Sequence, residues 1–261
     1  MPERSSYPAG TPSWVDLNTT DPAAAREFYG QLFGWQFDTN AEFHYVTVTK
    51  NGKQVCGIND MPVTEQPPSW FTYFATDDAQ KLGELVTANG GAIALGPMQV
   101  GAQGTMLLWL DTTGAIAGAW QAGAMSGAQL VGETGALVWN ELNTRELDDA
   151  VAFYTAILPV TAHDASDGDF HYQTLQVQGR DVAGMWQMRA DVPPDTPPHW
   201  AVYFGVDDTD AAVGAATALG ATVTSSAKDS PYGRFAELAD PQGAAFHVIQ
   251  PTPAGLGSVP S

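Results

Sequence analysis

The chain has 261 residues, and 29 Asp and Glu against 10 Lys and Arg give it a formal net charge of −19. The ten cations fall five before Gln129 and five after it, so no basic stripe can assemble on phosphates, which excludes nucleic acid and anionic membrane as expected partners. A lone Cys56 rules out an intrachain disulfide, no run has the apolar length of a membrane span, and the opening Met-Pro-Glu-Arg-Ser-Ser-Tyr lacks the apolar core of a leader, so a cytoplasmic location is expected.

In chain order, the first predicted strand covers 13–18 and runs into a helix. Asp21 serves as its N-cap, Pro22 is its first residue, Phe28, Tyr29, Leu32 and Phe33 form its apolar stripe, and Gly34 ends it. Strands at 43–48, 54–58 and 70–76 follow. Asp77-Asp78 then opens a second helix carrying Leu82, Leu85 and Val86, which stops at Gly90-Gly91. Strands at 92–95, 105–110 and 115–121 complete the series.

At Val138 the series starts again. The segment SWVDLNTTDPAAAREFYGQLFGW from Ser13 returns as VWNELNTRELDDAVAFYTAILPV from Val138, with Trp14 matched by Trp139, 125 residues later. Phe43-His44-Tyr45 returns as Phe170-His171-Tyr172, and Pro67-Pro68-Ser69-Trp70 as Pro197-Pro198-His199-Trp200. Asp111 and Gly114 return as Asp240 and Gly243. The helices recur from about Glu146 to Leu158 and from Asp207-Asp208 to near Gly220. This period is far beyond the 20 to 50 residues of a solenoid repeat. Each copy is therefore expected to be a domain with its own core, at 10–122 and 135–250, joined by a small-residue linker at 123–134 and followed by a flexible tail at 251–261. Short strands with only two helices per copy predict an α+β fold with curved, antiparallel-rich sheets flanked by helices.

Three of these features resemble the vicinal-oxygen-chelate superfamily, which includes glyoxalase I, bleomycin-resistance proteins and extradiol dioxygenases. They are the D-x-x-x-A-x-x-F-Y run at Asp21–Tyr29 (Glu146–Tyr154 in the second copy), the strand ending in Asp-Asp before a helix, and the D-x-x-G run of the last strand. The resemblance covers both copies and is similar to tandem two-domain glyoxalase-like proteins of actinobacteria. It implies paired βαβββ modules, four in all, curling into cups that hold a small molecule, often beside a divalent metal. It also places metal ligands on the first strand, a middle strand, the strand after the mid-domain loop and the last strand of each copy. Here those places fall on Trp14, Cys56 or Gly57, Phe71 and Gly118, and on Trp139, Ala183 or Gly184, Ala201 and His247. Imidazole or carboxylate is required there, and only His247 clearly supplies one. No metal cofactor is expected; the alternative is a divalent metal in the second copy on Glu141, His199 and His247.

If the first-strand ligand places face a cup, the two-residue period of a strand turns Asp16, Asn18, Glu141 and Asn143 the same way. By that parity Trp14, Asn18, Tyr73 and Trp120 line the first cup for ligand binding, and Trp139, Asn143, Tyr203 and His247 the second. Such a lining suits a flat, partly apolar ligand with isolated polar groups, and serves equally as plain filling of the sheet's inner face. Asp16 and Glu141 are the candidate catalytic acid–base groups, because a carboxylate in an apolar enclosure has a raised pKa; a structural bond to a neighbour is the other reading. His44 and His171, matched in both copies, read as structural. The expected function is therefore a glyoxalase-like small-molecule-binding protein for an aromatic or oxygenated metabolite, metal-independent as in bleomycin-resistance members. The alternative is an enzyme of glyoxalase, lyase, isomerase or dioxygenase type. The partner is a small-molecule ligand, and the assembly a monomeric pseudo-dimer or a homodimer.

Overall fold

In a computed structural model, residues 4–252 are described. The first repeat contains β1 (Pro12–Asn18), α1 (Pro22–Phe33), β2 (Gln36–Asn40), β3 (Tyr45–Lys50), β4 (Lys53–Asn59), β5 (Ser69–Ala75), α2 (Ala79–Ala88), β6 (Ala92–Val100), β7 (Gly104–Leu110) and β8 (Ile116–Ala122). The second contains β9 (Leu137–Thr144), α3 (Leu147–Ile157), β10 (Thr161–Asp164), β11 (Tyr172–Val177), β12 (Arg180–Gln187), β13 (His199–Gly205), α4 (Thr209–Ala218), β14 (Thr222–Ser230), β15 (Gly233–Ala239) and β16 (Ala245–Pro251). Each repeat is thus βαβββ twice over, four modules in an α+β chain. The expected tail beyond residue 252 lies outside the described residues.

The strands β2 and β10 have no counterpart in the sequence reading. Both are sheet-edge strands and nearly all exposed, so neither carries the apolar signal by which a strand is recognised. Phe43-His44 stands outside β3: His44 has φ 49°, which breaks the extended run just before Tyr45.

Each repeat forms one eight-stranded sheet, in the order β2-β3-β4-β1-β5-β8-β7-β6 for the first and β10-β11-β12-β9-β13-β16-β15-β14 for the second. The middle pair, β1 with β5, is antiparallel, and each partner has a parallel strand on its outer side, β4 beside β1 and β8 beside β5. The helices pack on one face and leave the other as the inner face of a cup. Helix α1 starts where the sequence predicts, with Asp21 Oδ1 accepting from the backbone N–H of Ala23 and Ala24 at 3.1 and 3.0 Å, a cap worth about 1 kcal/mol. It ends at Gly34, whose φ of 70° suits a residue without Cβ.

The two largest apolar clusters are shared between the repeats. One large apolar cluster joins Phe28, Tyr29, Phe33 and Trp35 to Phe204, Phe246 and Val248, so the first module packs against the fourth. The other joins Phe74, Leu82 and Trp109 to Phe153, Tyr154 and Ile157, so the second module packs against the third. The helix-bearing faces of both sheets therefore bury each other. Each D-x-x-G run has its Asp at this seam. Asp240 Oδ1 accepts from Gln242 N and Ala244 N to close its own turn, while Oδ2 accepts from Tyr29 Oη of the other repeat at 3.0 Å. Asp111 does the same with Thr113 N, Ala115 N and, at 2.9 Å, Tyr154 Oη. Trp70 and Trp200 donate their indole N–H to these tyrosines at 3.1 and 2.8 Å. The repeated Tyr, Asp and Trp of the sequence thus form two matched polar knots that cross between repeats.

Candidate functional site

The cup faces follow from the register. Asp16 pairs with Gly57 on β4 and Phe71 on β5, and Tyr73 pairs with both Trp14 and Gly118, so these six residues share the inner face of the first sheet. Glu141 pairs with Gly184 and Ala201, Tyr203 with Trp139 and His247, and Asn143 with Trp186 and His199, which sets the inner face of the second. Cys56 and Ala183 face the buried core instead, so Gly57 and Gly184 stand at the middle-strand places. Burial holds the Cys56 thiol well above its usual pKa.

At the centre of each cup lies a carboxylate gripped by aromatic donors. Asp16 Oδ1 accepts from Trp14 Nε1 at 2.6 Å and from the hydroxyl of Tyr45, and Tyr73 also bonds this carboxylate. In the second cup Glu141 Oε2 accepts from Tyr172 Oη at 2.9 Å and Oε1 from Tyr203 Oη at 3.0 Å, while Trp139 Nε1 donates to Tyr172 Oη at 3.1 Å. Burial raises the pKa of Asp16 to about 6 and that of Glu141 above the usual carboxylate range; the hydroxyl and indole donors only partly counter it. The tyrosines of both groups are held well above 10 by burial and by the adjacent carboxylate.

Glycine makes this grip possible. A Cβ on Gly57 would stand 1.8 Å from Tyr45 Oη, and one on Gly184 would stand 1.8 Å from Tyr172 Oη. Tyrosine hydroxyls therefore lie across the backbone at the places where the superfamily resemblance puts middle-strand ligands. Tyr45 and Tyr172 were not picked out by the sequence reading, which weighed the neighbouring His44 and His171 instead. Both histidines are exposed, outside the strands. The signal was in the same Phe-His-Tyr runs, one residue further on.

The two cups differ in what else they carry. In the first, Trp14 is 2% exposed and Trp120 is 8% exposed, and they pack with Phe71, Tyr73, Leu108 and the linker residues Ala128 and Val131. Trp120 Nε1 donates to Met125 O at 2.8 Å. Asn18 sits part-buried opposite Ser69 at the edge of this face. None of Trp14, Asp16, Tyr45, Tyr73 and Trp120 holds a buried polar atom without a partner.

In the second cup, Trp139, Trp186, His199 and Phe235 stay partly exposed. Among the described residues, three buried polar atoms on this inner face have no partner: Trp186 Nε1, Asn143 Oδ1 and His247 Nδ1. His247 stacks on Tyr203 with ring centroids 4.1 Å apart, and burial lowers its pKa to about 3. The His199 ring is fixed at both nitrogens, Nε2 beside Asn143 Nδ2 at 3.2 Å and Nδ1 beside Pro197 O at 2.9 Å.

The donor set does not fit the superfamily's metal. Of the eight ligand places only His247 offers a lone pair of the required kind. The alternative set of Glu141, His199 and His247 is not assembled either: His199 Nε2 is occupied by Asn143 Nδ2. Among the described residues no group of three His, Cys, Asp or Glu side chains is placed to hold a metal ion.

Comparison with known proteins gives a consistent picture for both halves. Residues 11–135 match the model of the Glyoxalase/Bleomycin resistance protein/Dioxygenase superfamily, and residues 139–249 match that of the Glyoxalase-like domain. A candidate glyoxylase, CFP32, of Mycobacterium tuberculosis (strain CDC 1551 / Oshkosh) is 43% identical over 97% of this chain and 99% of its own. The anthracycline biosynthesis protein DnrV of Streptomyces peucetius is 34% identical over 94% of each chain. Among solved structures, the Mn(II)-bound glyoxalase from Novosphingobium aromaticivorans superposes with a TM-score of 0.65 at 16% identity, covering 97% of this chain and 94% of that one. The 2,3-dioxygenase LapB from Pseudomonas sp. KL28 does so with 0.64 at 14% identity, covering 94% of each. At these identities the two structures are alike in fold.

Proposed function

The chain belongs to the glyoxalase/bleomycin resistance/dioxygenase superfamily, and on that premise we propose that it binds an oxygenated, partly aromatic small molecule in the cup of its second repeat, without a metal. The observation that carries this reading is the set of unpaired polar atoms on that face. A buried donor or acceptor left without a partner costs about 1–3 kcal/mol, and three of them on residues of one partly exposed aromatic face favour a ligand that returns those bonds. Trp186 Nε1 asks for an acceptor, Asn143 Oδ1 for a donor, and His247 Nδ1 for either according to its tautomer. Trp139, Phe235 and the Tyr203–His247 stack supply flat area for a ring. Two relatives named for anthracycline biosynthesis support the choice of a polycyclic aromatic bearing hydroxyl and carbonyl groups as the first probe.

The first cup serves as a structural counterpart, its aromatics packed together. Glu141 has a further capacity in the second cup. With a raised pKa and both oxygens held by tyrosine hydroxyls, it can exchange a proton with a bound hydroxyl or carbonyl neighbour, which makes it the residue to watch for acid–base chemistry.

Titration of the full chain with an anthracycline, followed by calorimetry, tests the proposal. Trp186→Phe should weaken binding by about tenfold for the lost hydrogen bond, and Trp14→Phe in the first cup should leave it unchanged. Loss of binding in Trp14→Phe with full binding in Trp186→Phe would move the site to the wrong cup and sink the assignment.

A further inference from the structure

Ahead of β1 the chain does not stay with its own repeat. Arg4 N donates to Gln129 O at 3.0 Å and Tyr7 Oη donates to Ala128 O at 2.6 Å, so the segment lies along the linker at the junction of the two repeats. A cavity of about 30 Å³ lies there, lined among others by Arg4, Tyr7, Thr11, Val138, Trp139 and Val182. Its other lining residues are Pro12, Val131, Leu137 and Asn140, and no carboxylate is among them. Asn140 Oδ1 is already taken, accepting from Thr72 Oγ1 at 2.8 Å.

Into this small, mostly apolar space the protein puts a guanidinium. Arg4 is 9% exposed, and among the described residues its Nε and Nη2 have no partner; Thr11 Oγ1, on the same cavity, has none either. The Arg4 guanidinium lies over the Tyr7 ring at 5.1 Å. A guanidinium does not lose its proton under ordinary conditions, so it cannot escape burial by becoming neutral. Water could fill its hydrogen bonds but brings no charge, and no described residue lining the cavity is a carboxylate. A volume of about 30 Å³ suits one or two atoms of water size.

We infer that this cavity is a binding site for one small monatomic anion of halide type, held by the free N–H groups of Arg4 and the hydroxyl of Thr11. The bound ion would complete the attachment of the amino-terminal segment to the second repeat, and through Trp139 it adjoins the wall of the second cup. It stands independently of what that cup binds.

Thermal unfolding of the full chain in sodium chloride or bromide, against gluconate at matched ionic strength, tests the site. The wild type should gain roughly 5 °C in Tm at a hundredfold excess of halide over its Kd, and Arg4→Met and Thr11→Val should lose most of that gain. Thr11→Val keeps the test open should Arg4→Met fail to fold. A crystal soaked in bromide should show an anomalous peak beside Arg4 Nε and Nη2. An equal halide response in wild type and both variants, or density for water alone at Arg4 in the bromide crystal, would overturn the inference.

Discussion

Replacing Asp16 by Asn should remove a pH dependence that the wild type carries between about pH 4 and pH 6. In the folded cup the Asp16 carboxyl has a pKa of about 6 against an ordinary 3.8. Between those values the folded protein keeps a proton that the unfolded chain has released, so stability is greatest below the lower value and declines as pH rises through the upper one. Each pH unit of that gap is worth about 1.4 kcal/mol, so the carboxylate costs the folded state about 3 kcal/mol at neutral pH relative to pH below 4. Asn cannot ionise, and its oxygen can still accept from Trp14 and Tyr45, while its new amide N–H group must find an acceptor at a cost of about 1–2 kcal/mol. The assay is urea unfolding followed by tryptophan fluorescence at half-unit steps from pH 4 to 7.5. Subtracting the variant's free energy from the wild type's at each pH cancels the titration of the other acidic residues. The difference should fall by about 3 kcal/mol across the window and level off above it. A flat difference would mean that Asp16 is solvated, and the account of a dry, tyrosine-gripped carboxylate would be wrong.

His247 should act with the opposite sign: its pKa is lowered to about 3 against 6.5, so the unfolded chain takes up a proton first as the medium is acidified. The wild type then loses several kcal/mol between pH 6.5 and 3 that His247→Phe does not lose, and parallel acid-unfolding curves for the two proteins would refute burial of that ring. Tyr154→Phe leaves Asp111 Oδ2 and Trp200 Nε1 without their shared partner and should cost about 2–3 kcal/mol in equilibrium unfolding. That loss should appear in a single transition, because the knot ties one repeat to the other; two separate transitions would show that the repeats unfold independently. Gly184→Ala places a methyl carbon 1.8 Å from Tyr172 Oη, so Tyr172 must leave Glu141. A stability loss of about 1–3 kcal/mol is expected, and a crystal structure with Tyr172 still bonded to Glu141 would contradict the close fit.

The order of elements apart from the edge strands β2 and β10, their repetition and their membership of one superfamily were legible along the chain. Helix starts, turns and half-buried strands are local, and each leaves its mark within a few residues, as Asp21-Pro22 and Gly34 do for α1. The alternation in Trp14-Val15-Asp16 and Trp139-Asn140-Glu141 also told which side chains share a face, because strand periodicity needs no partner to be read. What covers those faces depends on residues distant in the chain. Tyr45 and Tyr172 reach the carboxylates only because β3 and β11 lie two strands away across a glycine. The D-x-x-G aspartates looked like turn residues and became seams only when Tyr29 and Tyr154 arrived from the other repeat. Likewise two near-identical strand motifs gave no hint that one cup is packed and internally satisfied while the other holds three unpaired polar atoms. Burial and hydrogen-bond completion are sums over all neighbours in space, so the difference between the two cups was settled only by tertiary structure.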